Sequence, residues 1–204
     1  MRKGISHSGA GRYGKIYLRT MSLFESGDST GDIYLKELCN NRLKPKLTGE
    51  VDLRRLAGLI IKGGWPGNLA YSPKDSSEAI KEYINLIIDD DLETFGFLFE
   101  AMVERDLKIY ADSFNDKCYR YQDYQNREID TVIELEDGQW CAFEIKLGAN
   151  KIEEVAKNLL ALKQQIEKEK GKAPSVICVI CGLSNAAYQR PDGVYVVPIT
   201  ALKP

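Results

Sequence analysis

A carboxylate and an ammonium two residues apart in an otherwise apolar strand are costly unless they are paired or hold an ion. Glu144 and Lys146 make such a pair. In the run QWCAFEIKL at 139–147, strand alternation points Cys141, Phe143, Ile145 and Leu147 one way and Trp140, Ala142, Glu144 and Lys146 the other. Asp130 sits in the same kind of position, between Ile129 and Val132, in the apolar run before it. Thirteen residues separate Asp130 from Glu144 and include the turn signal Glu136-Asp137-Gly138, so a hairpin would carry both carboxylates to one end of adjacent strands. Two carboxylates supply hard oxygen ligands for Mg²⁺, water fills the other positions, and Lys146 can orient or deprotonate a water. That is a constellation for phosphodiester hydrolysis. A plain Glu144–Lys146 ion pair on a sheet edge is the other reading of the same spacing.

The elements that must position these side chains are legible by periodicity. Phe95, Leu98, Phe99, Met102, Val103, Leu107 and Tyr110 recur at helical spacing over 95–113. Strands are expected over 118–124, 128–135 and 139–147, then a helix over 150–169 bearing Ile152, Val155, Leu159, Leu160, Leu162 and Ile166. An almost wholly apolar run at 175–181, bounded by Pro174 and Gly182, reads as a strand buried on both faces, and 193–197 as a last short strand. A hairpin feeding a crossover helix and a buried strand implies an α/β fold with a mixed sheet sandwiched by helices.

Upstream, Leu53, Leu56, Ala57, Leu59 and Ile60 predict a helix over 51–61 that stops at Gly63-Gly64. Trp65 is expected to pack the neighbouring helices, and a second helix is expected over 76–88, capped by Asp75 or Ser76. The carboxylate run Asp89-Asp90-Asp91-Leu92-Glu93 opposes the helix dipole and marks a boundary. Residues 1–48 hold at most one strand, near Ile16 to Phe24, followed by loop. Three units result: an extended arm at 1–48, a small helical fragment at 49–93 and the α/β domain at 94–204.

Composition narrows the function classes. The 204 residues carry a net charge of −2, against a protein that coats nucleic acid by charge alone. Residues 1–90 hold 14 basic and 11 acidic side chains and 91–204 hold 14 and 19, so the acid excess lies with Asp130 and Glu144. The only histidine, His7, lies in the start of the chain, which reads as unstructured, so no histidine-based triad is expected, and five cysteines give neither a disulfide framework nor a four-ligand zinc spacing. Cys178-Val-Ile-Cys181 lies in a strand, where its thiols face opposite sides as core residues. No apolar run is long enough to span a bilayer and no secretory signal is present, so a cytoplasmic protein without membrane contact is expected. Lysines on the helix after Lys146, among them Lys151 and Lys157, could meet a phosphate backbone, although interleaved glutamates also suit a solvated face.

The segments FGFLFEAMVERDL and YRYQDYQNREIDTVIELEDGQWCAFEIKLG resemble the C-terminal module of a family of prokaryotic AAA-type ATPases, the family catalogued as domain of unknown function 4143. That module is similar to PD-(D/E)XK nucleases. The resemblance implies that Asp130, Glu144 and Lys146 are catalytic, that Asp130 and Glu144 hold Mg²⁺, and that Glu100 on the preceding helix assists. It further implies DNA as partner, with Gln165 on the following helix as a contact. HSGAGRYGKIYLRTMSLFESGDS resembles the end of that family's ATPase core, with Arg12 as a phosphate-sensing or interface arginine, and GGWP resembles its winged-helix-like linker. Two departures matter. No G-x-x-x-x-G-K-[ST] occurs, so the chain is not expected to bind ATP itself, and the stretch before Phe95 is shorter than in the family. The chain then reads as a remnant of such an ATPase, a frame with an internal deletion, or partial coverage. A non-catalytic module that keeps the fold for partner recognition or homo-oligomer contact is the alternative.

Overall fold

Residues 176–181 are buried without interruption, as a strand must be when it has neighbours on both sides and a packed layer on each face. The computed structural model describes residues 17–69, 92–124 and 127–204. In chain order these form β1 (Ile33–Tyr34), α1 (Leu35–Cys39), β2 (Lys46–Leu47), α2 (Leu53–Lys62), α3 (Leu92–Ser113), β3 (Lys117–Gln122), β4 (Glu128–Glu134) and β5 (Trp140–Gly148). They continue with α4 (Ile152–Lys168), β6 (Val176–Leu183), β7 (Ala186–Gln189), β8 (Tyr195–Pro198) and β9 (Leu202–Lys203).

Among the described residues the main sheet has seven strands in the order β2-β7-β8-β6-β5-β4-β3. β3, β4 and β5 form an antiparallel meander, while β5, β6 and β8 run parallel. The fold is therefore the expected mixed α/β sheet with flanking helices. One face carries Phe143, Ile145, Cys178 and Ile180 against Phe99, Met102 and Val103 of α3 and Leu56 of α2. The other carries Ala142, Ile177, Val179 and Cys181 against Val155, Ala156, Leu159 and Leu162 of α4. Cys178 and Cys181 thus serve opposite cores. The β4–β5 turn bends at Gly138, whose φ of 73° suits glycine. No helix among the described residues is long and apolar enough to cross a membrane.

α2 starts where Asp52 accepts the Arg55 N–H at 2.7 Å and ends at Gly63. It lies close against β6: a Cβ at Gly182 would meet Leu56 Cδ1 at 2.9 Å and both Leu147 O and Phe99 Cζ at 3.0 Å. β7 is a strand that periodicity does not reveal, since its four residues are too few to show alternation. Trp65, expected to pack, is 68% exposed.

The larger correction concerns the N-terminal arm. No strand forms over 17–24, and the residues after it are more than loop: α1 buries Leu35 and Leu38 completely, β1 pairs with β9, and β2 pairs with β7. Leu23, Leu35, Leu38 and Leu56 join Phe99 and Phe143 in one core. A buried acceptor anchors this segment. Asp106 Oδ2 takes the Leu23 N–H at 2.8 Å, Tyr110 donates its hydroxyl to the same oxygen at 3.3 Å, and Arg105 Nε bonds Oδ1 at 2.8 Å. Sequence reading gives Asp106 no such role because its partners lie 83 residues upstream or on its own helix. The expected helix over 76–88 with its cap, the run at 89–91, His7 and Arg12 lie outside the described residues.

Removing the Asp106 carboxylate leaves the Leu23 N–H and the Arg105 guanidinium without their shared acceptor, which costs about 3 kcal/mol in a buried setting. Asp106→Ala should lose that much stability in urea unfolding, and Asp106→Asn, which keeps an oxygen for Leu23, distinctly less. A change below about 0.5 kcal/mol for Asp106→Ala, the level of an ordinary surface substitution, would show that the segment is held elsewhere.

Candidate functional site

The paired register of β4 and β5 runs from Glu134/Trp140 to Thr131/Phe143 and stops there. The cause is visible one strand away. Between Tyr119/Val132 and Tyr121/Ile129, β3 advances two residues and β4 three, so β4 carries an extra residue at Asp130-Thr131. Ile129 and Val132 consequently both face α4, although three residues apart. Beyond the bulge the Asp130 side chain replaces the missing ladder acceptor: its Oδ2 accepts the Ile145 N–H at 2.8 Å.

That bond brings Asp130 alongside the charged face of β5. Lys146 Nζ lies 2.9 Å from Glu144 Oε2 and 3.3 Å from Asp130 Oδ2. The Glu144–Lys146 ion pair is therefore real, but it is not on a sheet edge, because β5 lies between β4 and β6. Burial, and next the Asp130 charge, push the Glu144 carboxyl up to about 7 despite Lys146. Burial works against the Lys146 ammonium, but Glu144 and Asp130 outweigh it and hold it above the ordinary lysine value. Glu100 on α3 lies near enough that, after burial, the Asp130 charge raises its carboxyl too, yet it is paired to Arg120 at 3.0 Å. It does not line the cleft beside Asp130.

The donor chemistry suits a hard divalent cation. Mg²⁺ takes one or two carboxylates and keeps several waters, and the two carboxylates here share one ammonium, with Glu144 left short of positive charge. Among the described residues no group of three or more metal-type side chains assembles, so water or backbone would complete the shell.

The trio opens into a cleft of about 590 Å³ between the sheet and α4. Arg127, Glu128, Asp130, Glu144 and Lys146 form the sheet wall, and Glu154, Asn158 and Gln165 are the polar residues of the α4 wall. Gln165 receives Arg127 Nη1 on its amide oxygen and donates to Glu169 at 2.9 Å. Lys151 and Lys157 are not in the cleft lining; they are exposed and paired with Glu154 at 3.5 Å and Glu153 at 3.3 Å. Sequence reading missed Arg127 and Asn158. For Asn158 a signal was available: it and Gln165 lie seven residues apart on the stripe of Val155, Leu159 and Leu162, where polar residues ought not to recur. For Arg127 there was none, since its place depends on the β3–β4 turn.

A family model described as Domain of unknown function (DUF4143) matches residues 95–202, over half of the 204-residue chain. The chain belongs to this family. The match spans every residue of the trio and both walls of the cleft, so the site is a feature of the DUF4143 segment rather than of the residues before it. No curated protein and no solved structure matches the chain significantly.

The raised Glu144 carboxyl carries a pH signature. The folded state holds this proton to about 7, whereas an unfolded glutamate loses it near the ordinary value of 4.5. Stability from this group is full below about 4.5 and falls as pH rises to about 7. Glu144→Gln should therefore match the wild type near the low end of that window and exceed it by several degrees in Tm at pH about 8, since a proton held from 4.5 to about 7 corresponds to about 3 kcal/mol. Equal Tm differences at both pH values would show that Glu144 titrates normally.

Proposed function

We propose that this DUF4143 protein is a nuclease-like phosphodiesterase of PD-(D/E)XK type that acts on DNA with Mg²⁺. The observation supporting this most directly is the convergence of Asp130, Glu144 and Lys146 on one cleft wall, at a break in the strand ladder that leaves their polar atoms facing α4. Asp130 and Glu144 are the metal ligands in this reading. Bound Mg²⁺ would polarise a phosphoryl oxygen and lower the pKa of an attacking water. Lys146, pinned between both carboxylates, keeps an ammonium at the point where negative charge develops on the phosphorane, and holds the water in line. The water oxygen bonds to phosphorus as the bond from phosphorus to the bridging oxygen breaks; the water gives one proton to solvent and the leaving oxygen takes one from solvent. Glu100 acts from the α3 side of Asp130 as a further carboxylate. Lys151 and Lys157 are candidate contacts to the strand. ATP has no place here, since the chain has no G-x-x-x-x-G-K-[ST].

One observation favours a second reading, a non-catalytic module that keeps the fold for recognition of a protein partner or for homo-oligomer contact. The described cleft lining holds four carboxylates against two cations, which opposes a phosphate backbone until a metal is bound. Cleavage decides between them. In Mg²⁺ the full chain should nick supercoiled plasmid or cut single-stranded DNA, and Lys146→Ala should slow this by about 100-fold or more with the fold intact by circular dichroism. Millimolar Mg²⁺ or Mn²⁺ should raise the wild-type Tm by ligand linkage, and Asp130→Asn should abolish the shift. Equal cleavage by wild type and Lys146→Ala would mark a contaminant and refute the assignment. No cleavage by either, with the fold intact, would leave the interaction-module reading standing.

A further inference from the structure

The two cations of the cleft do different work. Lys146 is engaged by Asp130 and Glu144, whereas Arg127 is held from behind by the turn it closes. Asp123 Oδ2 takes Arg127 Nε and Nη2, each at 2.6 Å, and Asp123 Oδ1 takes the Arg127 backbone N–H at 3.0 Å. This hydrogen bonding to Asp123 also favours the charged guanidinium. The fixed fork leaves Nη1 directed across the cleft, where it meets the Gln165 carbonyl on α4. Gln165 is held in turn through its amide nitrogen by Glu169.

A neutral amide oxygen is a weak partner for the one guanidinium that the described residues contribute to an acid-rich cleft. Charge-assisted bonds to an anionic oxygen are roughly twice as strong. We infer that Arg127 is a phosphate-binding residue of this site. Its Nη1 receives the DNA phosphate next to the one that is cleaved, and Gln165 is the placeholder that a bound strand displaces. The Asp123–Arg127–Gln165 bridge joins the sheet wall to the α4 wall, so strand entry exchanges Gln165 for a phosphate oxygen and opens the cleft across that line. Arg127 touches the substrate but not the reacting atoms. It sets where the strand lies relative to Asp130 and Lys146, and this assignment rests on the phosphodiesterase reading above.

The test is binding rather than turnover: fluorescence anisotropy of a labelled single-stranded oligonucleotide with the full chain, Ca²⁺ replacing Mg²⁺ so that the strand stays intact, over a range of KCl. Arg127→Ala should weaken binding about tenfold, as loss of one specific arginine contact does. It should also reduce the slope of log K against log salt by about 0.7, the value for one phosphate contact on a single strand. Arg127→Lys should keep the slope and lose part of the affinity. Gln165→Ala should bind more tightly than wild type, a sign opposite to Arg127→Ala, whereas a bridge that merely braces the cleft would make both variants weaker. If wild type binds and Arg127→Ala leaves affinity and slope unchanged, or if Gln165→Ala weakens binding as Arg127→Ala does, the assignment falls while the phosphodiesterase reading stands. If wild type binds no DNA under any metal condition, both fall together.

Discussion

Asp130 accepts the Ile145 N–H at 2.8 Å in the place where a β4 carbonyl would stand in a continuous ladder. That substitution lets β4 and β5 separate while the buried Ile145 amide keeps a partner, which an apolar side chain at 130 could not provide. It also fixes the Asp130 carboxylate within reach of Lys146. The bulge beside it turns both Ile129 and Val132 toward α4, so the hydrophobic layer under the helix persists across the break. One carboxylate therefore satisfies the backbone and equips the cleft at the same time.

The electrostatic consequence comes from where the break occurs. β5 is interior to the sheet, so Glu144 and Lys146 sit among buried neighbours rather than in bulk water. One ammonium serves two carboxylates, and burial leaves Glu144 the less satisfied of them. Such an arrangement is costly as pure structure, since a buried ion pair seldom outweighs an apolar replacement. The Mg²⁺ proposed for this site would restore the missing charge and relieve the carboxylate repulsion together.

The site was readable in the sequence because its signals are local. Charged residues at 144 and 146 interrupt the alternation of Phe143, Ile145 and Leu147, and Gly138 announces the hairpin that returns β5 to β4. β6 was readable for the converse reason, an apolar run with no interruption. What escaped depends on distant partners. The bulge at Asp130-Thr131 appears only in the pairing with β3, and Arg127 enters the cleft only through the turn that Asp123 closes. β1, β2 and β9 have two residues each, too short for any period to register, and exist because another strand end lies beside them. The membership of Leu23 in the core is likewise written in Asp106 and Tyr110, far along the chain.

This last dependence bears on what the DUF4143 segment is. The family match begins at residue 95, yet the core face that α3 shares with β5 and β6 is completed by Leu23, Leu35, Leu38, Leu56 and Leu59. Gly182 permits the close seat of Leu56, β2 pairs with β7 inside the match, and β1 pairs with β9 at its end. Stripping residues 17–69 away would expose Phe99, Phe143 and Ile180 together with the buried Asp106, whose main-chain partner lies upstream. An exposed apolar face of that kind, next to a carboxylate stripped of its main-chain donor, is not a stable surface for an isolated module. The matched segment holds Asp130, Glu144 and Lys146, and the preceding segment supplies the second half of the core against which β5 packs.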